Sequence, residues 1–149
     1  MEKLVKRSYY RLYQNIFKLA MPLLPWRKPE LLEGKGSIKR VPEILEKLHI
    51  QNVLIVTDAM LMKLGLLDGL LKALDDKGCK YAIYDKTVPD PTIENVEEAL
   101  QLYHQHQCKG IIAFGGGSPM DCAKIVGARV SRPNKPIEKM KGVLKVVSK

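Results

Sequence analysis

The stretch Gly110-Ile111-Ile112-Ala113-Phe114-Gly115-Gly116-Gly117-Ser118-Pro119-Met120-Asp121-Cys122-Ala123-Lys124 leaves the chain few ways to fold. Ile111 to Phe114 is a short apolar run of the kind a parallel sheet buries on both faces. Three glycines in succession free the backbone from Cβ clashes and let a ligand approach closely. Ser118 then predicts an N-cap, Pro119 the first helical position, and Asp121 the far side of a capping-box-like Ser-x-x-Asp. A strand, a turn and a helix start in that order aim unpaired N–H groups and a positive helix end at the space beyond the strand, which suits phosphate. The same residues serve equally as a tight strand-to-helix turn with no ligand. Their spacing is neither Gly-x-Gly-x-x-Gly nor Gly-x-x-x-x-Gly-Lys-Ser/Thr, so neither standard nucleotide fingerprint applies.

A second strand end also carries chemistry. Val53-Leu54-Ile55-Val56-Thr57 is β-branched, uncharged and continuous, and it ends in Asp58. A carboxylate at the end of a parallel strand is placed to take the two hydroxyls of an adenosine ribose. It is placed just as well to cap the helix that follows. That helix is predicted over Met60–Asp76, bent at Gly65, with Gly78 as its cap. Tyr81 to Tyr84 predicts the next strand, Val88-Pro89-Asp90-Pro91 a rigid loop, and Thr92 the cap of a helix reaching Gln105 with Val96, Leu100 and Tyr103 inward. Upstream, Glu30 to Ser37 reads as a short strand ending in a glycine turn. A helix to Leu48 comes next, with Ile44, Leu45 and Leu48 on its inner side. Downstream, a helix from Pro119 to Val130 is followed by a loop and a short basic segment, Glu138 to Lys149. Strands alternating with helices of this length predict right-handed βαβ units. The fold class is therefore α/β: a mostly parallel sheet with flanking helices, Rossmann-like, over residues 30–149.

The 149 residues suffice for one core. The net charge of +9 is segregated. Residues 1–29 hold 7 Lys/Arg against 1 acid, residues 122–149 hold 8 against 1, and residues 30–121 hold 10 against 14. A folded nucleic-acid-binding face would concentrate that charge on the body, so no specific nucleic-acid partner is expected. Residues 3–21 predict a basic amphipathic helix, with Val5, Tyr9, Leu12, Ile16 and Leu19 at three- and four-residue steps, ended by Pro22 and Pro25. It suits packing on the body or on a second subunit, a membrane surface, or a transit peptide. Residues 1–29 thus form a helix and linker outside the α/β domain. No apolar run is long enough to span a bilayer. Cys79, Cys108 and Cys122 are odd in number and far apart, which predicts reduced thiols in a cytoplasmic protein. His104 and His106 lie two apart and would face different ways on a helix, while His49 is isolated, so none of the three is expected to bind metal.

Three motifs in order, Leu54-Ile55-Val56-Thr57-Asp58, Val88-Pro89-Asp90-Pro91-Thr92-Ile93-Glu94-Asn95-Val96 and Gly115–Lys124, resemble the amino-terminal half of the iron-containing (group III) alcohol dehydrogenases, relatives of dehydroquinate synthase and glycerol dehydrogenase. The resemblance covers residues 30–149. It implies that Gly115, Gly116, Gly117 and Ser118 hold the pyrophosphate of a nicotinamide dinucleotide, that Asp58 holds its adenosine ribose, and that Asp121 lies near the nicotinamide, with Lys124 structural. The Asp58 carboxylate would favour NAD over NADP by repelling a 2′-phosphate. The family often has Asn where this chain has Asp90, which leaves a cofactor role for Asp90 in doubt. The family also adds a further strand and a helical domain whose Asp and three His residues hold iron or another divalent ion. The resemblance therefore implies an amino-terminal portion of an NAD-dependent enzyme that interconverts an alcohol with an aldehyde or ketone. On that reading the chain alone lacks the metal ligands and turnover. The alternative is a non-catalytic nucleotide-binding or regulatory module that needs a partner chain. An uncovered sheet edge further predicts self-association or a homo-oligomer.

Overall fold

In the computed structural model, which describes residues 10–12, 14–19 and 29–140, β1 (Asn52–Val56) is the centre of a parallel sheet. β2 (Lys80–Tyr84) and β3 (Gly110–Ala113) flank it in the order β2-β1-β3. The body's helices are α1 (Val41–Lys47), α2 (Ala59–Lys63), α3 (Asp68–Asp76), α4 (Ile93–Gln105) and α5 (Gly117–Ser131). Val53 to Val56 are completely buried because helices cover both faces of their strand. That is why β1 carries no polar alternation. Each of these side chains contributes about 1.5–3 kcal/mol relative to an exposed position.

Alternate residues of β1 feed two cores. Leu54 and Val56 join Ala82 and Tyr84 of β2, Val96, Ala99 and Leu100 of α4, and Cys122, Ala123 and Val126 of α5. Val53 and Ile55 join Leu45 of α1, Leu67, and Leu70 and Leu74 of α3. The β1-to-β2 connection thus covers one face and the β2-to-β3 connection the other. Such a reversal makes the β1/β3 crevice the topological switch point of the sheet.

The three helices that lead into strands stop by the same device. His49, Gly78 and Gln107 follow the C-caps of α1, α3 and α4 with left-handed φ of 56°, 66° and 51°. Their N–H groups bond to Glu46 O (3.0 Å), Asp75 O (2.9 Å) and His104 O (3.0 Å). The next N–H groups, of Ile50, Cys79 and Cys108, reach Leu45 O (2.8 Å), Leu74 O (2.9 Å) and Tyr103 O (2.9 Å). This paired pattern is the Schellman motif, and each instance delivers the chain into a strand within three residues. Gly65, at φ 66°, divides the predicted Met60–Asp76 helix into α2 and α3.

The start of α4 is fastened to β2. Thr92 and Asn95 form a reciprocal capping box, and Asn95 Nδ2 also donates to Tyr84 Oη (2.9 Å) and to Lys86 O (3.3 Å). Tyr84 Oη in turn donates to Glu98 Oε2 (3.1 Å). Burial, reinforced by the Glu98 carboxylate and partly offset by Asn95, pushes the Tyr84 phenol up to about 12.

Some expectations are corrected. Glu30–Ser37 is no strand: residues 29–33 lack regular structure, Gly34 and Gly36 take φ of 108° and 80°, and Ser37–Arg40 form a 3₁₀ turn. Leu31 is 74% exposed and Leu32 only half-buried, so the segment contributes no residue to the core. Leu48, expected inward, is 61% exposed because the left-handed turn at His49 brings Ile50 to the core instead. β3 is an edge strand, half-buried with Ala113 exposed, rather than covered on both faces.

Packing divides the chain into two units, Met1–Glu33 and Gly34–Lys149. In the first, residues 10–12 and 14–19 are helical. The remainder of the predicted 3–21 helix, its terminating prolines and the tail 141–149 lie outside the described residues. Among the described residues no helix is long and apolar enough to cross a membrane.

Two measurements check this fold. His49→Gly and Gln107→Gly should each stabilise by about 1 kcal/mol, because glycine removes the left-handed penalty, and thermal melts should show Tm rising by a few degrees. For Tyr84, a phenol raised above its unfolded value of 10.0 adds stability that is complete below pH 10 and lost as pH rises through about 12. Wild-type stability measured by urea titration should therefore fall over that window, and Tyr84→Phe should flatten the fall.

Candidate functional site

The ladder places two turns side by side. Val56 aligns with Ala113, and Phe114 N–H bonds to Val56 O (2.9 Å). Asp58 and Gly115, each two residues beyond that pair, therefore open adjacent loops at the carboxyl ends of β1 and β3. Asp58 caps α2: its Oδ1 accepts from Leu61 N–H (3.0 Å). Oδ2 accepts no hydrogen bond among the described residues. The capping bond restricts the direction of the carboxylate and leaves its second oxygen available.

Leu61 links the two turns. A Cβ added to Gly115 would lie 2.8 Å from Leu61 Cδ1 and 3.0 Å from Pro119 Cγ, and its φ is 134°. Gly115 is therefore glycine for the sake of the fold itself. Gly116 and Gly117 differ: a Cβ on either would meet nothing within 4 Å. Space stands open over their backbone at the start of α5, beside the switch point. Backbone N–H groups at such a start favour an anion.

The predicted cap is corrected. Gly116, not Ser118, is the N-cap, and α5 begins at Gly117, two residues ahead of Pro119. Gly116 has the extended backbone of a cap (φ −83°, ψ −154°), and glycine is itself a favoured N-cap residue. Ser118 is inside the first turn and half-buried. Asp121 makes no capping box; it is exposed and pairs with Lys124 Nζ at 3.0 Å. The structure thus brings Asp58 and Gly115–Gly117 to one crevice and sets Ser118 and Asp121 further along α5.

Asp90 takes a left-handed φ of 55°. Asn and Asp are among the non-glycine residues that tolerate this conformation best, so the exchange between them has a backbone reason without any ligand. Sequence reasoning missed Thr57 and Thr87, whose buried hydroxyls make no hydrogen bond among the described residues. They meet at the ends of β1 and β2 through Thr87 N–H and Thr57 O (3.4 Å). A threonine closing an apolar strand was the available signal. Thr87 also lies near Cys122, whose thiol is pushed up by burial. The raised thiols of Cys122 and Cys108 stay protonated and are poor nucleophiles.

The three cysteines are unpaired, Cys108 and Cys122 buried and Cys79 half-buried. His49, His104 and His106 are exposed, and His104 stacks edge-on against Tyr103 with centroids 5.5 Å apart. Among the described residues no three His, Cys, Asp or Glu side chains gather as a metal site. The described residues therefore do not fit a metal centre.

Comparison with known proteins agrees with this geometry. The family model for iron-containing alcohol dehydrogenase matches residues 29–148. The long-chain primary alcohol dehydrogenase AdhA of Thermoanaerobacter ethanolicus is 40% identical over 106 residues, covering 68% of this chain and 27% of that protein. The NAD-dependent methanol dehydrogenase of Bacillus methanolicus is 35% identical over 99 residues, covering 66% and 26%. The crystal structure of a 1,3-propanediol oxidoreductase superposes with a TM-score of 0.67 at 34% identity, covering 71% of this chain and 28% of that one. The chain thus spans about a quarter of the length of these relatives. With three motifs in register, a parallel sheet of the same shape and a family match over most of its length, the chain belongs to the iron-containing alcohol dehydrogenases.

Proposed function

We propose that residues 30–149 are the dinucleotide-binding part of an NAD-dependent alcohol dehydrogenase, with Asp58, Gly115, Gly116, Gly117, Ser118 and Asp121 forming its cofactor site. The observation that carries this reading is the open space over Gly116 and Gly117, one strand away from a carboxylate that capping has already oriented. Two glycines that the protein's own packing does not require are explained by a ligand that must lie against bare backbone.

In this reading the N–H groups at the start of α5 hold the pyrophosphate and Gly115 sets the turn that presents them. Asp58 uses Oδ1 to cap α2 and Oδ2 to accept from a ribose hydroxyl. Its charge repels a 2′-phosphate, so NAD is preferred to NADP. The cofactor supplies hydride acceptance from an alcohol, and hydride return to an aldehyde or ketone. The name of the Bacillus methanolicus relative, an NAD-dependent enzyme, supports the choice of cofactor. Because the described residues do not fit a metal, no step is assigned to one, and the purified chain is expected to bind NAD without turning over alcohol.

Saturation-transfer NMR and isothermal titration test the site. NAD should bind weakly, with Kd of about 1 mM. Gly117→Val should weaken it at least tenfold, ~1.4 kcal/mol, with the melting curve almost unchanged. Asp58→Asn, which keeps an N-cap, should narrow the preference for NAD over NADP. Binding that neither variant disturbs would sink the assignment, as would steady oxidation of a primary alcohol by the chain with added Fe²⁺ or Zn²⁺. A stability scan separates the glycines. Gly115→Ala should cost roughly 1–3 kcal/mol, whereas Gly116→Ala and Gly117→Ala should stay within about 0.5 kcal/mol.

A further inference from the structure

In the helical leader, Leu12, Ile16 and Leu19 are 60%, 59% and 79% exposed. At 3.6 residues per turn they fall within an arc of about 60°. The same period runs back in the sequence through Val5 and Tyr9. Arg11 and Lys18 lie together on one flank, about 110° round from the stripe, and Gln14 and Asn15 complete the polar side. Three large side chains in a row on one helix face in water call for a covering surface.

Charge and composition select the covering. Residues 1–29 carry seven Lys/Arg, and their sole acid is Glu2. Two leaders laid face to face would set like charges against each other, with no acids alongside the stripe to pair across the seam. An anionic bilayer offers hydrocarbon for the stripe and negative headgroups for the flank. The aromatic residues follow the same logic. Tyr9, Tyr10, Tyr13, Phe17 and Trp26 are five of the chain's nine Phe, Trp and Tyr residues, and such rings favour the headgroup level.

We propose that the leader helix docks this protein on the surface of an anionic membrane, lying in the plane of the headgroups with Leu12, Ile16 and Leu19 inward and Arg11 and Lys18 against the lipid phosphates. The stripe and the basic flank act together: the first supplies depth and the second selects the lipid. Neither belongs to the unit that carries the candidate cofactor site, so docking is separable from binding at Gly116 and Gly117.

The test is flotation of the monodisperse full chain with vesicles of phosphatidylcholine alone or with about one-third phosphatidylserine. The full chain should float with the anionic vesicles and remain below with the neutral ones. Arg11→Gln with Lys18→Gln should weaken partition roughly 30-fold, and Leu12→Gln, Ile16→Gln and Leu19→Gln together should abolish it. Each variant should keep the wild-type melting curve of the body, and a chain starting at Glu30 should not float. Failure of the full chain to float, equal flotation with both vesicle types, or flotation of the chain starting at Glu30 would each overturn the proposal. So would sedimentation equilibrium showing a lipid-free dimer that the triple variant dissociates, since the stripe would then be a self-interface.

Discussion

The complete burial of Val53, Leu54, Ile55 and Val56 is the constraint from which the rest of the body follows. A strand dry on both faces has no water for its backbone N–H and C=O groups, so it needs a partner strand on each edge. β2 and β3 meet that need. Its side chains need a cover above and below, and α4 and α5 supply one while α1 and α3 supply the other. Once β1 is central and its two partners arrive by crossovers on opposite faces, the loops after β1 and β3 must open beside each other. The crevice between them is thus a consequence of burying four aliphatic residues, before any chemistry is placed in it.

Within that crevice the glycines divide by physical role. Gly115 answers to a positive φ and to the side chains of Leu61 and Pro119. Gly116 and Gly117 answer to nothing inside the described body. Asp58 shows a comparable division within one side chain, with one oxygen holding α2 and the other available. Capping and ligand binding are often framed as competing explanations of an acidic residue at a strand end. On the proposed reading the first prepares the second, because the capping bond restricts the rotation of the carboxylate that a ribose would meet.

The leader follows a different principle from the body. The body between residues 30 and 121 carries more acids than bases, whereas residues 1–29 are strongly basic. Burial organises the body; the leader instead combines an exposed apolar stripe with an excess of basic residues. The two segments thus fall in separate packing units, Met1–Glu33 and Gly34–Lys149.

Local sequence determined much of this protein. An uninterrupted apolar run rich in β-branched residues marked β1, Thr92 marked the start of α4, Gly78 marked the end of α3, and three spaced motifs identified the family, because each rests on contacts between near neighbours in the chain. The two other helix stops were not legible. His49 and Gln107 adopt the left-handed turn only because the strands that follow must reach the sheet, a demand no local propensity encodes. The same holds for the site. Residue types alone nominated Asp58 and the triple glycine, but they mistook Ser118 for the cap, read β3 as doubly covered, and passed over Thr57 and Thr87. Which glycine serves the fold and which leaves room for a ligand was decided by Leu61, more than fifty positions away in the chain, since steric fit depends on what the sheet brings together rather than on what stands adjacent along the backbone.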